Sequence, residues 1–201
     1  MPQTTLARYF AEVAHAAARL PLERVERIVQ LILAAQARQA TLFLFGNGGS
    51  AATASHFACD LAKNAASPGG RRVRALALTD SVALQTAWAN DHGYEAIFAE
   101  QLAVHARPGD LALAISGSGN SPNVLRAVER ARALGLTTIG LCGFDGGRLA
   151  GLVDHAVVVP ASCIQAVEDA HSVLGHAIAL AVRQALAAQD VAEPDRALAA
   201  V

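Results

Sequence analysis

The sequence is poor in charge, in cysteine and in long apolar runs, and each shortage excludes a class of protein. Only 16% of its 201 residues are charged, with Lys+Arg 16 against Asp+Glu 17. A formal net charge of −1 and a pI near 6.6 leave no general basic field for counterion release, so nucleic acid is not expected as a direct ligand. Cys59, Cys142 and Cys163 are an odd number with no CxxC spacing. They argue against a disulfide framework and against a thiolate zinc site, and they suit a reducing cytoplasm. No stretch approaches the roughly 20 apolar residues that a bilayer span needs; runs such as Leu111–Ile115 and Ala156–Val159 are far shorter. The N-terminus places Arg8, Glu12, His15 and Arg19 at helical intervals, not in the order of a signal peptide.

What is present is apolar: 53% of the chain is hydrophobic, which excludes a disordered polymer. The length fits one domain. Soluble proteins average about 25% charged residues, so this chain has little charge with which to cover a surface of its own.

In the first forty residues Leu6, Tyr9, Phe10 and Val13, then Val25, Ile28, Val29, Ile32 and Leu33, recur at spacings of three and four. They predict two amphipathic helices separated by Pro21. From Thr41 the pattern becomes short apolar runs, each followed by turn residues and a helical stretch. The runs are Thr41–Phe45, Val73–Leu78, Leu111–Ile115, Thr137–Leu141 and Ala156–Val159, apolar on consecutive positions as strands covered on both faces are. Between them helices are expected at about Ser50–Lys63, Ser81–Ala89, Tyr94–Ala106, Pro122–Leu134 and Gly147–Leu152, and a long one from Ile164 to Ala188. The alternation predicts an α/β fold with a doubly wound, five-stranded parallel sheet, N-terminal helices and a long C-terminal helix. The whole of 1–201 reads as a single domain, with 1–40 a helical extension and 190–201 a fraying tail. Arg71, Arg72 and Arg74, after the loop at Ser67–Gly70, read as a solvated stretch.

Two strand-to-helix loops suit an anion. Gly46-Asn47-Gly48-Gly49-Ser50 lets the backbone approach a ligand at a helix N-terminus, with Ser50 either capping the helix or donating its hydroxyl. It has no Lys for a Walker loop and does not fit GxGxxG. Ser116-Gly117-Ser118-Gly119-Asn120-Ser121-Pro122 repeats the arrangement with three hydroxyls. Together they point to a phosphorylated small molecule held by hydroxyls and amides; the plain alternative is that the serines only cap the helix. A third cluster is acid–base or metal-binding in character. His56 and Asp60 share a helix face, and Glu168, Asp169, His171 and His176 crowd the last helix. A His and Asp at this spacing can equally be a solvated pair.

Gly46-Asn47-Gly48-Gly49-Ser50 followed by His56, then Ala89-Asn90-Asp91, then Ser118-Gly119-Asn120-Ser121 resembles the phosphoheptose isomerase branch of the sugar isomerase (SIS) family over nearly the whole chain. The resemblance implies a flavodoxin-like sandwich and a homotetramer with active sites near subunit interfaces. It also implies an aldose–ketose isomerase acting on sedoheptulose 7-phosphate to give D-glycero-D-manno-heptose 7-phosphate, with a divalent metal, commonly zinc. It would place Asn47, Gly48, Gly49, Ser50, Asn90, Asp91, Ser116, Gly117, Ser118 and Ser121 at the substrate.

The family's metal-ligand pattern of His, Glu, Gln and His falls here on His56, Asp60, Glu168 and His176, so two of the four depart from it. Asp60 is one methylene short, and Glu168 adds a carboxylate where the family has an amide. The exchange can move the strong metal ligand, or the base, from one helix to the other, and two His with two carboxylates still suit a divalent site. Glu168 and His176 are about 12 Å apart along a straight helix, so both reach one metal only by leaning inward. His171 is a rival ligand or a buried core histidine. The expected chemistry is proton transfer through an enediol(ate) by His176 and one carboxylate, Asp60 or Glu168, with Asp91 orienting a hydroxyl and the metal polarising the sugar oxygens. The same family holds a tetrameric regulator that associates with the replication initiator DnaA, so a binding protein, or an isomerase of another sugar phosphate, is the alternative.

Overall fold

The computed structural model describes residues 4–67 and 70–192. Two helices come first, α1 (Thr5–Ala18) and α2 (Leu22–Ala37), broken at Pro21. Thr4 caps α1 by accepting from the Ala7 N–H at 3.2 Å. Strands and helices then alternate: β1 (Thr41–Gly46), α3 (Gly49–Cys59), β2 (Arg74–Ala77), α4 (Val82–His92), α5 (Ala99–His105), β3 (Leu111–Ser116), α6 (Pro122–Ala133), β4 (Thr137–Gly143), α7 (Gly147–Leu152), β5 (His155–Val159) and α8 (Ile164–Ala192).

The five strands are all parallel in the order β2-β1-β3-β4-β5. The chain moves outward from β1 to β2, then returns to the other side of β1 with β3. At that reversal the following helices fall on opposite faces, and the carboxyl ends of β1 and β3 open a crevice. Both expected anion loops leave the sheet there.

Successive side chains of β1 divide between two cores. Leu42 and Leu44 pack with Ile28 of α2, Phe57 of α3 and Leu174 of α8, while Phe43 and Phe45 pack with Leu102 of α5, Val128 of α6 and Leu149 of α7. Because both faces are covered, β3 is buried along its whole length, which is why the strands read as unbroken apolar runs. Phe43 and Phe45 pair in register with Ala112 and Ala114 of β3, large against small.

Several local expectations change. The helix expected over Ser50–Lys63 is α3 ending at Cys59, then a π turn over Asp60–Asn64. The stretch Tyr94–Ala106 opens with a 3-10 turn at Tyr94–Ala96 before α5. Arg71 is not solvated: its Nε meets Asp190 Oδ1 at 2.8 Å, both side chains being nearly buried. This pair anchors the end of α8, which runs through 190 to Ala192; residues 193–201 of the expected tail lie outside the described residues, as do Pro68 and Gly69. Among the described residues no helix is long and apolar enough to cross a membrane.

Candidate active site

The loop between β1 and α3 is built around Gly48, whose φ of +54° favours a residue without a Cβ. No side chain caps α3, so Ser50, buried in the first turn, is not the expected cap. The Ala51 N–H donates to Gly48 O at 3.0 Å within the turn, so it is the Gly49 and Ser50 N–H groups and the positive end of the helix dipole that are left at the crevice. Asn47 is held from two sides. Its amide exchanges two 2.8 Å hydrogen bonds with the buried Asn123 amide, and the Tyr94 hydroxyl donates to its Oδ1 at 3.0 Å. The pair fixes the first loop to the start of α6, and it leaves Asn47 one amide hydrogen for a ligand.

The loop between β3 and α6 is held by backbone. Gly143 N–H donates to Gly117 O at 3.0 Å, and Leu149 N–H to Gly119 O at 2.9 Å. Ser121 is the N-cap residue of α6 but its side chain makes no cap bond, and Pro122 follows at the helix start. Ser116 and Ser121 hydroxyls lie 3.4 Å apart, and Ser118 Oγ accepts from the Asn120 N–H at 3.2 Å. The hydroxyls of Ser116 and Ser121 are therefore not consumed in capping, against the plain alternative for this loop. Asn90 and Asp91 are exposed at the end of α4, where Asn90 donates to Asp91 Oδ1 at 2.7 Å.

Helices α3 and α8 run side by side away from the crevice. At the loop end, an ideal Cβ on Gly49 would come within 2.6 Å of Glu168 Oε1, so the Glu168 carboxylate lies directly on Gly49 at the N-terminus of α3. Two turns further on, His56, Asp60 and His176 converge. His56 Nε2 is 2.9 Å from His176 Nε2, and Asp60 Oδ2 is 3.3 Å from the first and 3.6 Å from the second. Asp60 is nearly buried, and its other oxygen accepts from Asn64 at 2.7 Å across the π turn. The shorter carboxylate thus reaches both imidazoles.

These three residues fit a divalent cation: their ligand atoms all lie within 4.8 Å of one another. Ligands at about 2.0–2.1 Å from a tetrahedral centre are about 3.3 Å apart, and the three separations straddle that value. Glu168, expected as a fourth ligand, is not in the group; eight residues of straight helix, about 12 Å, separate it from His176. Clefts of about 300 and 400 Å3 meet at His56 and His176.

His171 is not a ligand. It is fully buried, with Nε2 3.2 Å from Cys142 O, and burial pushes its pKa down to about 4 despite that bond. Burial likewise raises the Cys142 thiol to about 12. Asn123, Tyr94 and Asn64 had no sequence signal, since each acts through a partner distant in sequence or through a π turn.

The SIS domain family model matches residues 7–143. The chain is 41% identical to the phosphoheptose isomerase of Paramagnetospirillum magneticum over 166 residues, which are 83% of this chain and 84% of that protein. It is 37% identical to the phosphoheptose isomerase of Aquifex aeolicus over 171 residues, 85% and 89% of the two chains. Among solved structures, the phosphoheptose isomerase of Neisseria gonorrhoeae superposes with a TM-score of 0.82 at 32% identity, covering 88% of this chain and 96% of that one.

Proposed function

Because this chain belongs to the SIS-domain phosphoheptose isomerase family, we propose that it interconverts sedoheptulose 7-phosphate and D-glycero-D-manno-heptose 7-phosphate, in the cytoplasm and as a homotetramer. The observation that carries the site assignment is the line formed along α3 and α8: anion loops, then Glu168 on Gly49, then the His56–Asp60–His176 group.

In this reading the phosphate lies against the serine loop, where Ser116, Ser118 and Ser121 and the start of α6 offer hydroxyls and backbone N–H groups. The N-terminus of α3 already faces the Glu168 carboxylate, so it serves the sugar rather than the phosphate. The remaining Asn47 N–H and the amides of Gly48 and Gly49 bind sugar oxygens, and Asn90 and Asp91 orient hydroxyls.

Asp60 is engaged by Asn64 and both imidazoles, which leaves Glu168 as the free carboxylate. Glu168 is therefore the base that takes the proton from C1 of the ketose and returns it to C2, while the C1 hydroxyl proton passes to the C2 oxygen, so that the aldehyde forms at C1 and a hydroxyl at C2. His56, Asp60 and His176 would hold a divalent cation, zinc by the donor set, and it would supply Lewis-acid polarisation of the sugar carbonyl. The expectation of His176 as a proton carrier gives way here to cation binding, because its Nε2 is the atom facing the other two ligands.

The test is a stopped assay of sedoheptulose 7-phosphate isomerisation, alongside a panel of other ketose and aldose phosphates and a metal analysis of the purified protein. E168Q should lower kcat by about 100-fold or more with KM within about threefold. Full activity in E168Q with loss in D60N would move the base to Asp60, and no turnover of any sugar phosphate by the wild type would overturn the reading.

A further inference from the structure

Between Glu168 and His176 on α8 lies His171, 0% exposed. Its Nε2 donates to the Cys142 carbonyl at 3.2 Å, while its Nδ1 is the one buried side-chain nitrogen or oxygen without a hydrogen-bond partner among the described residues. An apolar side chain of similar size would fill this space without burying an orphaned acceptor. A residue that stabilises poorly and is nonetheless buried calls for another explanation.

Its surroundings supply one. Val167, Ala170, Leu174 and Ile178 pack α8 on the sheet, but apolar contact is non-directional and tolerates small rotations. The bond from His171 is directional. It ends on Cys142, the residue before Gly143, whose N–H supports the serine loop through Gly117 O. It thus ties α8, one turn past Glu168, to the strand end that holds the other half of the site. Side-chain tips stand about 5–6 Å from a helix axis, so a rotation of roughly 10° moves them about 1 Å, enough to cost up to about 100-fold in rate.

We propose that His171 is a positioning residue, whose Nε2–H bond to the Cys142 carbonyl sets the rotation of α8 so that Glu168 lies on Gly49 and His176 meets His56 and Asp60. The proposal rests on the roles given above to Glu168 and the cation group.

H171M and H171L remove the donor at similar volume, and H171Q keeps an N–H near the position of Nε2. In H171M, Tm should equal or exceed that of wild type, while kcat falls about tenfold or more with KM within twofold. Titration of the metal-free protein with Co2+, read by its visible absorption, should show affinity about fivefold weaker. H171Q should restore both to within about threefold. Should H171M not fold, H171L carries the same expectation. Wild-type kcat and Co2+ affinity in H171M would overturn the proposal, as would H171Q and H171M losing activity together in step with Tm. If the wild type isomerised no sugar phosphate, the reading of the reaction would fall, while the Co2+ titration would still decide the role of His171.

Discussion

At the scale of single residues, Gly49 and Glu168 constrain each other. A Cβ at position 49 would overlap the Glu168 carboxylate, the movable end of a flexible side chain, so the backbone has no need to yield. G49A is therefore expected to fold, with Tm within about 3 °C of wild type, yet to lose at least about tenfold in kcat because the carboxylate is pushed off its place. In the double variant with E168Q the losses should be far from additive, as a thermodynamic cycle on kcat would reveal. His171 leads to a prediction about acid stability. Its folded pKa, pushed down to about 4 by burial, lies below its ordinary 6.5, so between those values the unfolded chain binds more protons. The associated stability is complete above pH 6.5 and is lost as pH falls toward 4. At 1.36 kcal/mol per unit this is roughly 3 kcal/mol. Urea denaturation at pH 7 and pH 4.5 should show a larger drop for wild type than for H171M; equal drops would mean that His171 is not the buried neutral group described.

At the scale of elements, the strands were legible because burial on both faces leaves an unbroken apolar run. The loops were legible because only Gly, Ser and Asn suit a chain turning from a strand into a helix beside an anion. What stayed hidden is what tertiary contact decides. The π turn at Asp60–Asn64 carries residues that read as ordinary helix. Arg71 finds Asp190 across 119 residues, and Asn47 finds Asn123 across 76. Glu168 read as a member of the cation group and stands outside it, because the family-like spacing outweighed the roughly 12 Å of helical rise that separates it from His176. π turns recur at functional sites, and this one brings Asn64 onto Asp60 Oδ1 at 2.7 Å, steadying the carboxylate whose other oxygen faces both imidazoles. N64A should accordingly weaken Co2+ affinity by about fivefold to tenfold while changing Tm by under about 3 °C. An unchanged titration would show that Asp60 needs no such support.

At the scale of the whole molecule, the shortage of charge finds its counterpart on the surface. Leu6 and Phe10 stand 67% and 66% exposed on α1, Val82 and Leu84 are exposed on α4, and no residue of α4 is fully buried. Helix α4 meets the core through the partly buried Trp88 and Ala89, less packing than normally stabilises a helix. The imidazoles of His56 and His176 are also more than half exposed, in a site whose chemistry gains from exclusion of water. A proposed homotetramer accounts for both, with neighbouring copies covering α1 and α4 and closing the clefts beside the histidines. Leu6 and Phe10 are one turn apart and share a face, and Tyr9 beside them is fixed to α8 by a 2.6 Å bond to Asp169, so α1 presents this pair from a settled position. Sedimentation equilibrium of the wild type is expected at about four times the 20.7 kDa chain mass. The L6E/F10E double variant should dissociate to smaller species and lose activity on dilution, while its far-ultraviolet circular dichroism stays that of the folded chain, because neither side chain belongs to the two cores. A wild type sedimenting at the mass of one chain would leave these apolar faces without an occupant and overturn the tetramer.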